Sequence, residues 1–79
     1  MKAKTMQVLD FKADKMLFGV KIMVNNRRAI FVAKEKKILA LQTEQEAQNE
    51  ADEINKYLIA HPELEDVFKA DKTLKVALF

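Results

Sequence analysis

The stretch Met16–Lys34, MLFGVKIMVNNRRAIFVAK, decides the fold. Met16, Phe18, Val20, Ile22 and Val24 alternate without a break, the two-residue period of a half-buried strand. Asn25-Asn26 follows, and Asn tolerates the left-handed backbone that tight hairpin turns need. Ala29–Lys34 then resumes as a strand with Ala29, Phe31 and Ala33 on one face. A two-residue loop at Asn25-Asn26 or at Asn26-Arg27 aligns that face with Val20 and Ile22, so Phe18 and Phe31 are expected in the core. The opposite face sets Leu17, Met23, Ile30 and Val32 among Lys21, Arg28 and Lys34. A solvated face is mostly polar, so this one needs partial cover from the N-terminal segment or from Ile38, Leu39 and Leu41. The alternative is a partner or dimer surface.

Working outward, residues 5–11 read as a further strand. Glu35–Leu41 either ends a strand or leads into the next element. Thr43 stands three residues before Glu46, the spacing of a capping box, and Glu44 and Glu46 suit a positive helix N-terminus. Ala47, Ala51, Ile54 and Leu58 form one apolar stripe with Tyr57 beside it, which predicts a long helix. It should end near Ala60, because the residue before Pro62 resists helical geometry. Pro62 suits the first turn of a short second helix carrying Leu64, Val67 and Phe68. Thr73–Phe79 alternates as a last strand. Phe11–Lys15 recurs as Phe68–Lys72, FKADK in both places, and reads as a repeated turn anchored by its Phe.

The expectation is therefore one α+β domain over residues 1–79. It has a three- to four-stranded, mainly antiparallel sheet with one long helix packed on one face, in the order β-β-β-α-β, with a short helical turn after the long helix. A last strand at the sheet edge would allow pairing with a second copy, a homodimer.

Charge is divided along the chain. Residues 1–42 carry ten Lys or Arg against three acids, and residues 43–79 carry four Lys against nine acids, which leaves the net at +2. Such asymmetry speaks of partners rather than of fold. There is no Cys, Ser or Trp, one His (His61) and one Gly (Gly19). Thiolate metal sites and disulfides are excluded, and so is a Gly-rich phosphate loop. Nucleophilic catalysis would need Thr or Tyr with His61. A cation site built from the acids would lack the calcium-loop pattern. The expectation is a non-catalytic protein without metal or other cofactor. No apolar run is long enough to span a bilayer, and no signal peptide precedes the first strand. It reads as cytoplasmic, beginning at Met1, with no membrane partner.

Two surfaces carry functional expectations. Glu46, Glu50 and Glu53 form a row on the long helix, and Glu63, Glu65 and Asp66 follow the bend. That acidic surface suits a basic partner protein, such as a nucleic-acid-handling enzyme, by electrostatic steering. A small chain without catalytic groups then reads as a regulator or inhibitor, of the kind phages encode. The alternative is a nucleic-acid-binding module. Its hairpin tip, Asn25, Asn26, Arg27 and Arg28, with Lys34, Lys36 and Lys37, could enter a groove or hold phosphates.

Overall fold

A computed structural model describes residues 1–79. The chain is α+β. Four strands follow one another: β1 (Lys2–Asp10), β2 (Lys15–Asn25), β3 (Arg28–Lys34) and β4 (Lys37–Ile38). Two helices come next, α1 (Glu44–Ala60) and α2 (Glu63–Ala70), and then β5 (Val76–Leu78). Strands β1, β2 and β3 pair antiparallel in sequence order, and β5 joins the far side of β3 in parallel. Helix α1 lies across β1 and β2.

The hairpin is present, but its register overturns one expectation. Ile22 pairs with Ile30 and Met23 with Ala29, whereas Asn25 pairs with Arg28, so Val24 is an extra residue. Asn26-Arg27 is the two-residue loop. Neither residue takes a positive φ; the three non-Gly residues that do are Asp14, Glu35 and Lys36. Instead, Asn25 Oδ1 accepts the Arg27 N–H at 2.8 Å, so the Asn acts through its side chain. A turn with ordinary φ splays two twisted strands, and a β-bulge restores the twist. Here the bulge also shifts β3 by one residue, which exchanges its faces. Ile30 and Val32, expected on the outer face, are 0% exposed beneath the helix. Phe31, expected in the core, is 41% exposed on the open face. Ala33 stays buried, but on that same open side.

The core is one cluster. Ala3, Val20, Ile22, Ile30 and Val32 of the sheet meet Ala47, Ala51, Ile54 and Leu58 of α1, with Phe68 of α2 and Ala77 of β5 beside them. The two alanines in the stripe leave no bulk between α1 and the sheet. Thr43 caps α1 by accepting the Glu46 N–H at 3.2 Å. The reciprocal Glu46 contact of a full capping box does not form. α2 begins directly after Pro62, as its fixed φ favours.

The ambiguous segment before α1 is a wedge. Glu35 and Lys36, with φ of 51° and 67°, turn the chain back so that Ile38 pairs with Ala33. Leu41 then exchanges two hydrogen bonds with Phe18 of β2, at 2.8 and 2.7 Å. Residues 37–41 therefore fill the split between the end of β3 and the start of β2. The wedge crosses Gly19 so closely that a Cβ there would stand 2.6 Å from the Leu39 carbonyl oxygen. The two FKADK copies are not equivalent. Phe68 is a core anchor, but Phe11 sits in the β1–β2 turn and is 86% exposed.

Gly19→Ala should destabilise the fold by about 1–3 kcal/mol, because backbone rather than a movable side chain meets the new methyl. Urea denaturation measures it, and a neutral or stabilising result would contradict the close crossing of Leu39.

Candidate functional site

The structure distributes the thirteen residues singled out in the sequence over several places. Asn26 and Arg27 are exposed at the hairpin tip. Asn25 Oδ1 is occupied by the turn. Arg28, expected as a free cation at that tip, is committed to the fold. Its guanidinium donates to the carbonyls of Phe68 (2.5 Å), Asp71 and Leu74 (2.9 Å). Those carbonyls belong to the end of α2 and the chain leading to β5, so one side chain ties the hairpin to the C-terminal segment. Planar guanidinium, with five donors in a fixed fork, suits such a task. Lys34 also has an intrachain partner, Glu50, at 2.6 Å. Lys36 and Lys37 stand at the opposite end of β3 from the tip. The basic residues expected to act together therefore form no continuous patch.

The acids divide as well. Glu50 and Glu53 flank Tyr57 and Phe79 on the β3 side of α1, with Glu46 one turn before Glu50. Glu53 pairs with Lys56 at 3.3 Å, exposed on both sides and worth little. Glu63 meets His61 Nδ1 at 3.2 Å. Glu65 faces the other way, toward Met1 and Lys2, and pairs with Lys69 at 2.8 Å. The Lys69 hydrogen bond, then its charge, hold the Glu65 carboxyl below its ordinary value. Asp66 is exposed without a cation in ion-pair range. No group of three or more His, Asp and Glu side chains converges as a metal would need.

What the sequence reading missed is an apolar cleft. Tyr57 of α1, Leu64 and Phe68 of α2, and Leu74, Leu78 and Phe79 of the C-terminal segment line an open trough walled also by Val76 and Ala77. Every lining residue is hydrophobic. Tyr57 organises it: its ring lies 4.3 Å from His61 and 5.9 Å, edge-on, from Phe79. The cleft shares Tyr57 and Phe79 with the groove that holds Glu50 and Glu53, so apolar and acidic surface are continuous. The Arg28 tether to Leu74 fixes the chain that forms its floor. The signal available in the sequence was Tyr57, an aromatic set just off a buried stripe.

The tether has a titratable partner. Asp71 Oδ1 accepts the Thr73 hydroxyl at 2.7 Å and the Thr73 N–H at 3.1 Å. These two bonds, the hydroxyl first, hold the Asp71 carboxyl below its ordinary value, and Arg28 adds a smaller push.

Compared with family models, curated proteins and solved structures, the chain matches none. No helix is long and apolar enough to cross a membrane.

Because Asp71 binds its proton less readily when folded, stability should rise with pH through the acid range. The contribution is complete above the unfolded carboxyl value and is lost as pH falls through the folded one. Thr73→Val should move the Asp71 titration, followed by carbonyl-carbon NMR, back up toward that of an ordinary carboxyl. An unmoved titration would show that the Thr73 hydroxyl is not the leading cause.

Proposed function

We propose that this protein is a small non-catalytic regulator that binds another protein, and that the cleft beside the acidic helix is where the partner sits. The observation that supports this reading is the continuity of eight apolar side chains with Glu50 and Glu53. An apolar trough bounded by acids suits an amphipathic segment with Leu or Phe anchors and Lys or Arg flanks. Apolar burial supplies affinity and charge supplies steering. A basic nucleic-acid-handling enzyme is one class of protein that presents such segments. The acids most relevant to docking are then Glu46, Glu53 and Glu63, since Glu50 is already held by Lys34 at 2.6 Å. Glu65, turned toward Met1, drops out.

The nucleic-acid reading keeps fewer resources. Arg28 and Lys34 already have protein partners, which leaves Asn26 and Arg27 at the tip. Phe31 is exposed and available to stack, contrary to expectation, but it lies on the open sheet face rather than at the tip.

A synthetic Lys-rich amphipathic helix with Leu and Phe anchors should shift the amide signals of Tyr57, Leu64, Phe68 and Leu78. Glu53→Lys with Glu63→Lys should weaken that binding about tenfold, on the order of 1.4 kcal/mol. Shifts centred on Phe31 or Arg27, or binding indifferent to both reversals, would sink the assignment. A single-stranded oligonucleotide titrated at low salt tests the other reading, whose affinity should fall steeply as salt rises.

A further inference from the structure

The outer edge of β1 pairs with no other strand, and α1 flanks only its first part, where Gln48, Asp52 and Asn55 line a groove with Lys2–Thr5. In the β1–β2 ladder Ala3 stands opposite Ile22, and the register runs unbroken to Asp10 opposite Lys15. The backbone of Ala3 faces away from β2. Its N–H donates to Asn55 Oδ1 at 2.8 Å and its carbonyl accepts from Asn55 Nδ2 at 3.1 Å. One side-chain amide thus takes the place of a neighbouring strand for one residue. Antiparallel strands alternate inward and outward groups, so Thr5, Gln7 and Leu9 also present N–H and C=O outward. They have no such clamp. A regular edge of this length is a template for pairing with another strand.

We propose that two copies of this chain associate through this edge, β1 against β1, antiparallel, with Gln7 on the two-fold axis. Three observations select this occupant and this register. First, the pairing sets Thr5 opposite the partner's Leu9 and Gln7 opposite the partner's Gln7, so outward groups meet outward groups. Three such pairs exchange about six hydrogen bonds. Registers centred on Met6 or Thr5 would bring a strand against Ala3 and displace Asn55; the Gln7 register is the longest that spares the clamp.

Second, the side chains match. On the open face Met6 stands opposite the partner's Val8, and Lys4 opposite the partner's Asp10. Lys4 needs that acid. Within its own sheet it lies directly opposite Lys21, and neither lysine forms an ion pair. Like charges in that position are destabilising. Asp10 already accepts the N–H groups of Lys12 and Ala13 through one oxygen, Oδ1, which leaves its second oxygen for Lys4.

Third, the register explains an exposed aromatic. The partner's strand ends at Asp10, opposite Lys4, so the partner's Phe11 leaves the ladder in the turn and reaches toward the helix-covered face without pairing with Ala3. There Met1, Leu58 and Ile59 line a shallow groove next to Asn55. Phe11 and Ile59 are 86% and 81% exposed in the monomer, and the dimer would cover both. The interface closes on itself, because each copy contributes its only long free edge. The edge of β5, at three residues, is too short to compete.

The experiment is sedimentation equilibrium with a cross-linking arm. The chain has no Cys, so one introduced thiol reports cleanly. The wild-type protein should pass from monomer to dimer between micromolar and millimolar concentration. Gln7→Cys places two Cα atoms about 5.5 Å apart across the axis, inside the roughly 4.4–6.8 Å that a disulfide spans. It should form a linked dimer on oxidation, and Thr5→Cys should not. Lys4→Glu should weaken association at least about tenfold, since it sets like charges face to face. A single monomer mass at millimolar concentration would overturn the proposal. So would Thr5→Cys cross-linking as fast as Gln7→Cys, or association unchanged by Lys4→Glu. Tyr57 and Leu64 lie away from this edge, so failure of the dimer and failure of the cleft reading are separately visible.

Discussion

The rest of the structure depends on the one extra residue in the central hairpin. Asn25 closes the turn with its side chain, the loop residues keep ordinary backbone, and Val24 bulges. Strand β3 is turned over as a result. Ile30 and Val32 go under α1 and Phe31 goes outside. Without that exchange the helix would rest on Ala29, Phe31 and Ala33, two small residues around one large ring. With it, the sheet offers α1 an even bed of Val20, Ile22, Ile30 and Val32, and the alanines of α1 can approach closely.

The consequences reach both ends of β3. At its start, the turned strand carries Arg28 to the same side as α2, where the guanidinium gathers three carbonyls and fixes the route to β5. β5 then pairs with β3, and its last residues, with Tyr57, complete the apolar cleft. At its end, β3 parts from β2, and residues 37–41 enter the gap over Gly19. The cleft and the wedge are thus two outcomes of the way one strand is seated. The charge asymmetry is partly consumed inside the fold. Lys34 meets Glu50, and Arg28 binds backbone carbonyls, so two of the ten cations in the basic half of the sequence have partners within the fold.

Periodicity and capping residues made much of this fold legible. The β2 alternation, the Thr43 cap, the Ala47–Leu58 stripe and Pro62 locate the hairpin and both helices closely. What was not legible has a physical reason in each case. Asn-Asn-Arg-Arg is compatible with either a left-handed turn or an Asn-capped one, and the two differ by one residue of register. That single step assigned Phe31 and Ile30 to the wrong faces. The wedge at 35–41 uses two residues with positive φ, neither of them Gly or Asn, so no turn signal marks it. Arg28 binds backbone carbonyls, and carbonyls have no sequence signature. The cleft draws on three elements far apart in the chain, and the sequence showed only that Tyr57 lay off the stripe.

The seating of β3 can be tested by one pairwise comparison of stability in urea. Ile30→Thr should cost about 2–3 kcal/mol, since it removes packing and buries a hydroxyl beneath α1. Phe31→Thr, at a half-open position on the other face, should cost about 1 kcal/mol or less. A loss at Phe31 equal to or greater than that at Ile30 would contradict the bulge and every assignment of faces that follows from it.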